Sequence, residues 1–214
     1  MGKRQGRKEA LEDMEACGII GDRGQVTLVA RPAVFLDRDG VLIQNREEWA
    51  GGSILDIRLL PGAKEAVALL RRKGYLVCIV TNQAGVARGQ STEERQRALN
   101  DHIAHNLGGV DGIAMCIHHP DDGCDCRKPK PGVILDLARD LNIDLDASWM
   151  VGDMDSDIEA GVAAGCQTVR VSGGDSAHER GDFTCRSLSQ AARFIVAVPL
   201  VGPSRLQNTT CGAG

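Results

Sequence analysis

Residues 34–42 read VFLDRDGVL, an apolar run that is followed by two aspartates, Asp37 and Asp39, and then by a glycine. A short apolar run bounded by turn residues is typical of a buried strand in a parallel sheet. Aspartate and glycine are also ordinary turn residues, so DRDG alone does not establish a functional site. Its interpretation depends on the residues at the ends of the other predicted strands.

Further apolar runs alternate with amphipathic helical patterns along the chain. The runs are AVFL, YLVCIV, GIAMCI, SWMVG and QTVRV, and the helical patterns include AKEAVALLRRKG, STEERQRALNDHIAHNLG, GVILDLARDLN and DIEAGVAAG. This alternation predicts an α/β fold, namely a three-layer α/β/α sandwich with a central parallel sheet. The segment between Asp39 and the first helical pattern is too short for an inserted domain, so we expect a minimal cap.

Size and composition favour one domain. The chain has 214 residues, of which 43% are hydrophobic, and this is enough for one sizeable core. We therefore predict a single domain over residues 31–200. An N-terminal extension at residues 1–30, to which no role is assigned, precedes it, and a flexible tail at residues 201–214 follows.

Charge and hydropathy patterning exclude several classes of function. The formal net charge of -4 at pH 7 provides no broad positive field, so we expect neither a nucleic-acid nor a membrane partner. Apolar runs of the roughly 20 residues that cross a bilayer are missing, and the N-terminus has no apolar signal segment, which predicts a cytoplasmic protein. Dinucleotide and P-loop motifs are also missing from the sequence. We expect a monomer.

Polar side chains follow four of the predicted strands, and ligands of parallel sheets bind at the carboxyl ends of strands. The residues in question are Asp37 and Asp39 after the first run, Thr81, Asn82 and Gln83 after the second, Lys128 in the loop after the third, and Asp153, Asp155 and Asp157 after the fourth. Because these ends share one edge of the sheet, we expect the carboxylates, the hydroxyl, the amides and the lysine to converge.

This set of groups suits phosphoryl transfer. Asp37 and Asp153 could each give one oxygen to Mg²⁺, which binds few protein carboxylates and leaves room for phosphate oxygens. Asp37 could attack phosphorus and form an aspartyl-phosphate, while Asp39 protonates the leaving oxygen and later deprotonates water. Thr81 would hold phosphoryl oxygens, and Lys128 would offset their charge.

A second cluster of metal-ligand residues precedes Lys128. Cys116 and His118 lie two residues apart, and Cys124 and Cys126 repeat that spacing after a short polar loop. Three thiolates and one imidazole are a ligand set of closed, structural zinc sites. Chance clustering or disulfide pairing is the alternative, and His119 is expected to face away from the cluster.

Four segments carry a family resemblance over about residues 33–172. In order, FLDRDGVL, VTNQAG, CRKPKPG and VGDMDSD resemble the four motifs of the haloacid dehalogenase superfamily of phosphatases. The resemblance implies that the nucleophile is Asp37, the general acid/base Asp39, the phosphate-binding hydroxyl Thr81, the motif-three lysine Lys128 and the distal magnesium ligand Asp153. It also implies a magnesium contact from the main-chain carbonyl of Asp39, and it favours Lys128 over Lys130 because the motif places its lysine directly after Cys-Arg.

The cysteine loop indicates which branch of the superfamily the chain resembles. Its C-x-H-x5-C-x-C pattern, running into CRKP, is similar to the branch that contains the D,D-heptose 1,7-bisphosphate 7-phosphatases and the histidinol-phosphate phosphatase domain. The likeness implies that zinc shapes a loop that presents Arg127 and Lys128 to a small phosphorylated substrate. TNQAGVARG, with Asn82 and Arg88 as substrate-binding candidates, resembles the heptose enzymes more closely, and these imply a sugar bisphosphate.

Two other functions stay open on the sequence alone. Histidinol-phosphate phosphatase activity is compatible with the short zinc loop, and a zinc-stabilised binding module could keep the fold without catalysis. The segment Asn45–Glu48 departs from the heptose pattern, and Met154 stands where those enzymes commonly have lysine. Both departures bear on the substrate rather than on the class of reaction.

Overall fold

The structure, a computed structural model, describes residues 29–44, 53–172 and 181–199, together with the backbone of residues 18–20 and 26–28. Within the predicted N-terminal extension, Gly18–Ile20 (β1) and Val26–Leu28 (β2) form an antiparallel pair. The rest of residues 1–28, the segment 45–52 and the predicted tail at 201–214 lie outside the described residues.

A six-stranded sheet forms the centre of the fold, and all pairs of neighbouring strands within it are parallel. Its strands are β3 (Arg31–Leu36), β4 (Leu76–Asn82), β5 (Gly112–Cys116), β6 (Ile143–Gly152), β7 (Gln167–Val171) and β8 (Phe183–Cys185). They lie in the order β5-β4-β3-β6-β7-β8. The central strand β3 has β4 on one side and β6 on the other, so the topology switches direction beside Asp37.

In the described part of the chain, five α-helices cover the two faces of the sheet. They are α1 (Ala63–Arg72), α2 (Glu93–Leu107), α3 (Gly132–Leu141), α4 (Asp155–Ala164) and α5 (Leu188–Ala197). One core lies between the sheet and α1, α2 and α5, and the other lies between the sheet and α3 and α4. Val34 and Leu36 of β3 enter the first core, while Ala33 and Phe35 enter the second, which explains the continuous apolar run. The predicted α/β/α sandwich is confirmed.

The connection between β3 and α1 is short, in agreement with a minimal cap. Among its described residues, the regular structure is a single 3-10 turn, Ile54–Asp56, and a backbone bridge joins Ile43 to Leu59. Within the described part of the chain, no helix is both long and apolar enough to span a membrane.

The sequence patterns do not predict strand β8 or helix α5. A cluster of three aromatic side chains holds these two elements against β6. Trp149 of β6 lies 5.8 Å from Phe183 of β8 and 5.9 Å from Phe194 of α5, measured between ring centroids. The two phenylalanine rings are 4.2 Å apart. A strand of three residues shows no periodicity of its own, so its position depends on these long-range contacts.

Helix α4 packs very closely on the sheet at Gly161. A Cβ atom added there would lie 2.6 Å from Cβ of Met150 and 2.9 Å from Cγ2 of Thr168. The glycine therefore lets the helix approach β6 and β7 at the point where the preceding loop carries Asp153.

We expect Gly161→Ala to lower the free energy of unfolding by about 1–3 kcal/mol because the added methyl overpacks this contact. Helix propensity alone predicts the opposite sign, a gain of about 1 kcal/mol. Urea denaturation measures the difference, and Val162→Ala, at a side chain 60% exposed on the same helix, should change stability by less than about 0.5 kcal/mol. A Gly161→Ala variant that is more stable than the unchanged protein would show that α4 does not pack this closely on β6 and β7.

Candidate active site

Asp37 is fixed at the end of the central strand. Its N–H donates to the carbonyl of Val151 at 2.9 Å, which continues the β3–β6 ladder by one residue. Its side chain is almost fully buried and meets the Lys128 ammonium, with Nζ 2.5 Å from Oδ1. The same Nζ is 2.6 Å from Oδ1 of Asp157 and 3.0 Å from the carbonyl oxygen of Val80. These three acceptors match the three protons that an ammonium group can donate.

Asp153 and Asp157 complete an acidic cluster with Asp37, in which one oxygen from each carboxylate lies within 4.8 Å of the others. Two glycines make room for it. A Cβ atom on Gly40 would lie 2.1 Å from Oδ2 of Asp153, and one on Gly152 would lie 2.1 Å from Cβ of Asp157. The glycine of DRDG, at φ 90°, is therefore required both by the turn and by the neighbouring carboxylate.

Burial acts strongly on the acidic cluster. It raises the pKa of Asp37 to about 7, although the nearby Lys128 ammonium lowers it. Burial, followed by the charge of Asp157, raises the pKa of Asp153 to about 6. Burial alone would lower the pKa of Lys128, but attraction to Asp37 and Asp157 places it above its ordinary value. A further positive charge beside Asp37 and Asp153 would favour their ionised forms.

A divalent cation fits the cluster on the side of Asp153. Oδ1 of Asp153 is buried and has no hydrogen-bond partner among the described residues. Both oxygens of Asp157 are already in use, one by Lys128 and the other by the N–H of Met154 at 3.0 Å. Oxygen ligands for a hard cation such as Mg²⁺ would therefore come from Asp37 and Asp153 rather than from Asp157.

Asp39 lies two residues after Asp37 and is held by one of its carboxylate oxygens. Its Oδ2 accepts from Arg38 through Nε at 3.0 Å and Nη2 at 2.9 Å. It also accepts from Nε2 of Gln83 at 2.8 Å, and that amide lies 2.8 Å from Oγ1 of Thr81. Gln83 thus connects Asp39, the predicted proton-transfer residue, with Thr81, the predicted phosphate-binding residue.

Asn82 braces the loop that carries Lys128. Its amide donates to the carbonyl of Lys128 at 3.0 Å, and its Oδ1 accepts from the N–H of Lys128 at 3.1 Å. The paired bonds tie the end of β4 to the lysine loop. Asn82, a predicted substrate-binding residue, lines the cleft but uses these atoms to position Lys128.

The cysteine loop places its four predicted ligands together. Sγ of Cys124 lies 3.7 Å from Sγ of Cys116 and 3.6 Å from Sγ of Cys126, while Nδ1 of His118 lies 3.7 Å from Cys116 and 3.1 Å from Cys126. Ligand sulfurs of a tetrahedral zinc site, with Zn–S of about 2.3 Å, are about 3.8 Å apart, whereas a disulfide needs about 2.05 Å. The geometry therefore fits zinc and excludes disulfides among these cysteines.

His119 lies outside the cluster, as expected. Its Nδ1 accepts from the N–H of Asp121 at 3.3 Å, and its own N–H donates to Asp122 at 2.8 Å. These bonds cap the short 3-10 turn Pro120–Asp122.

A cleft of about 390 Å³ opens over the end of the sheet. Its walls include Asp37, Arg38, Asp39, Ile54, Ile57, Thr81, Asn82, Gln83, Gln96, Leu99, Arg127, Lys128, Met154 and Asp157. Nη1 of Arg127 is buried and has no hydrogen-bond partner among the described residues, which leaves its donor capacity unused. Arg88, by contrast, is exposed and does not belong to the residues that line the cleft.

The sequence alone does not predict a function for three side chains of this site. The sequence identifies Asp157 and Gln83 only as polar residues after a strand, and it gives no signal for Arg38. Asp157 sits at the third position of α4, where a carboxylate commonly binds the backbone at the helix start, and this signal could have located it. The contacts of Arg38 and Gln83 depend on side-chain direction, which spacing along the chain does not determine.

Comparison with known proteins agrees with this geometry. Residues 34–106 match the model of the haloacid dehalogenase-like hydrolase family, and residues 125–191 match a HAD-hydrolase-like model. D-glycero-beta-D-manno-heptose-1,7-bisphosphate 7-phosphatase from Vibrio cholerae is 44% identical over 166 residues, which are 72% of this chain and 88% of that protein. The enzyme of the same name from Pasteurella multocida is 39% identical over 180 residues, 77% of this chain and 97% of that protein.

A solved structure shows the same fold. The crystal structure of D,D-heptose 1,7-bisphosphate phosphatase from B. bronchiseptica, complexed with magnesium and phosphate, superposes with a TM-score of 0.67 at 35% identity. The match covers 78% of this chain and 98% of that one. The predicted resemblance to the heptose branch is thereby confirmed, and the alternative of a binding module without catalysis is not favoured. The chain belongs to the haloacid dehalogenase-like hydrolases, in the branch that contains the heptose-bisphosphate phosphatases.

Proposed function

We propose that the protein is a Mg²⁺-dependent phosphomonoesterase that removes the 7-phosphate of D-glycero-β-D-manno-heptose 1,7-bisphosphate. The activity rests on one observation, the buried Asp37 carboxylate that lines a cleft and is held by Lys128 within an acidic cluster. The substrate rests on relatives of this name that are 44% and 39% identical. We assign the phosphatase domain to residues 31–200.

In the first half of the reaction, an oxygen of Asp37 attacks phosphorus, and the bond from phosphorus to the sugar oxygen breaks. The leaving oxygen takes a proton from Asp39, and Asp37 becomes an aspartyl-phosphate. Lys128 keeps the Asp37 carboxylate in one orientation through its contact with Oδ1, so the attacking side chain is positioned before substrate arrives.

In the second half, water attacks the phosphorus of the aspartyl-phosphate. Asp39, now a carboxylate, takes a proton from that water, and the bond from phosphorus to Asp37 breaks. Inorganic phosphate leaves, and both aspartates return to their starting states. Thr81 supports the phosphoryl oxygens in both halves, because its hydroxyl lines the cleft beside Gln83 and can donate to them.

The residues for Mg²⁺ are Asp37, Asp153 and, by family resemblance, the main-chain carbonyl of Asp39. When bound there, the ion supplies positive charge that offsets the charge on the phosphoryl oxygens. The unpartnered Oδ1 of Asp153 supports this assignment.

The zinc site has a different role in the proposal. Cys126 directly precedes Arg127 and Lys128, so fixing its Sγ limits where both cationic side chains can lie. Zinc held by Cys116, His118, Cys124 and Cys126 therefore shapes one wall of the cleft and takes no part in the chemistry.

We expect Asp37→Asn to lower kcat on heptose 1,7-bisphosphate by on the order of 10⁴-fold or more, because the amide cannot form the phosphoryl intermediate. Phosphate release with Mg²⁺ measures this loss. The matched control is Asp136→Asn on the exposed face of α3, which should retain full activity. Substantial turnover by Asp37→Asn would refute the nucleophile assignment.

The substrate is tested by comparing kcat/KM for heptose 1,7-bisphosphate and histidinol phosphate, each with Mg²⁺ and with excess EDTA. We expect turnover of the heptose to be at least tenfold more efficient, and we expect both activities to disappear without the metal. A preference for histidinol phosphate would contradict the proposed substrate and would identify the protein as a histidinol-phosphate phosphatase.

Cys124→Ala should remove the one equivalent of zinc that elemental analysis is expected to find in the purified protein. We expect KM to rise more than kcat falls, because the change displaces Arg127 at the wall of the cleft. Cys166→Ala, at a buried cysteine outside the cluster, should keep its zinc. Unchanged zinc content in Cys124→Ala would contradict the proposed ligand set.

A further inference from the structure

We propose that Arg38 is a positioning residue for the proton-transferring carboxylate of Asp39, and that helix α2 shares in this role through Gln96 and Asn100. The inference rests on the proposed phosphatase activity. The proposed residues do not touch the substrate. They act through Asp39, and two of them lie on helix α2.

The guanidinium of Arg38 faces in two directions. Nε and Nη2 donate to Oδ2 of Asp39 at 3.0 and 2.9 Å. Nη1 donates to Oε1 of Gln96 at 2.8 Å and to Oδ1 of Asn100 at 3.0 Å. Because the guanidinium is planar and rigid, fixing Nη1 to α2 also fixes the fork that holds Asp39.

Burial makes this arrangement specific. Arg38 is only 3% exposed although it lies in a turn, and Asn100 is also 3% exposed. A buried guanidinium without these acceptors would be costly, so few other orientations are accessible to the side chain. Gln96 is itself held by Oγ of Ser91, which accepts from its Nε2 at 3.1 Å. The chain of contacts therefore runs from the start of α2 to the catalytic carboxylate.

The contacts select one oxygen of Asp39 for chemistry. Among the described residues, the bonds from Arg38 and Gln83 all go to Oδ2. We assign proton transfer to Oδ1, which these donors leave to the cleft, where the side chain is 26% exposed. Proton transfer requires a separation of about 2.6–3.2 Å, so a small rotation of this carboxylate would be enough to impair it.

The role predicts a kinetic signature because Asp39 acts twice. With p-nitrophenyl phosphate the leaving group departs without a proton, so formation of the phosphorylated Asp37 does not need a well-placed acid. Its hydrolysis still needs Asp39 as a base. A variant in which Asp39 is poorly oriented should therefore accumulate phosphorylated enzyme with this substrate, whereas a variant that is merely less well folded should not.

The test uses the full chain with Mg²⁺ and the variants Arg38→Met, Arg38→Lys and Gln96→Ala. With p-nitrophenyl phosphate we expect a burst of about one nitrophenolate per site, followed by a steady rate 10- to 100-fold below that of the unchanged protein. Acid-quenched mass spectrometry should find the phosphorylated chain. With heptose 1,7-bisphosphate, kcat should fall by a similar factor while KM changes less than about threefold.

Arg38→Lys keeps the charge but lacks the fork, so it should recover less than a tenth of the lost rate. The control is Arg97→Met on the exposed side of α2, whose arginine pairs with Glu93 and should leave both substrates unaffected. If Arg38→Met does not fold, Gln96→Ala decides the question, because it removes one anchor and leaves the guanidinium in place.

Two outcomes would overturn the role of Arg38. Unchanged kcat in Gln96→Ala and Arg38→Lys would show that the anchors do not matter. Equal losses of burst amplitude and steady rate would indicate a structural effect alone. An unchanged protein that releases phosphate from neither substrate refutes the phosphatase itself, and is thereby distinguished from a failure confined to Arg38.

Discussion

The Lys128 ammonium, which lies between Asp37 and Asp157, is the contact on which the rest of the site depends. It joins three separate parts of the chain, namely the end of β3, the cysteine loop and the first turn of α4. Two buried carboxylates this close would repel each other, and burial already raises the pKa of Asp37 to about 7. The ammonium compensates part of that cost and donates its remaining proton to the carbonyl of Val80. Through this one contact Asp37, the proposed nucleophile, is buried and oriented and is still able to ionise.

Glycines allow the acidic cluster to form at all. Gly40 and Gly152 lie where any side chain would overlap Asp153 or Asp157, with added Cβ atoms only 2.1 Å from atoms of those aspartates. The carboxylates can therefore approach each other because the backbone beside them occupies so little space. A description of the site that includes only its charged residues would miss this steric requirement, which explains why DRDG ends in glycine.

The sequence was sufficient to predict which strand ends meet, because parallel strands direct their carboxyl ends to one edge. This rule predicts that Asp37, Asp39, Thr81, Lys128 and Asp153 lie together, and the structure brings them together. It was not sufficient for contacts that depend on side-chain direction inside loops. Arg38 turns inward to α2, Asn82 turns to the backbone of Lys128, and Arg88 remains exposed outside the cleft. Strand β8 was missed for a related reason, since it is held by Trp149 and not by a pattern of its own.

In the proposed function, the residues that recognise the substrate differ from those that take part in the reaction. The positive charges of Lys128 and Arg38 are already matched by carboxylates, so neither is free to attract a second phosphate. Arg127 differs, because its buried Nη1 has no partner within the described residues and its backbone follows the proposed zinc ligand Cys126. The same cleft is also lined by Ile54, Ile57, Leu99 and Met154. Apolar contacts of this kind cannot replace the lysine that the heptose enzymes commonly have at the position of Met154. In the proposed function, discrimination between substrates therefore depends on how the cysteine loop presents Arg127. The sheet edge can then keep one set of reacting groups while the loops around it determine which phosphate ester reaches them.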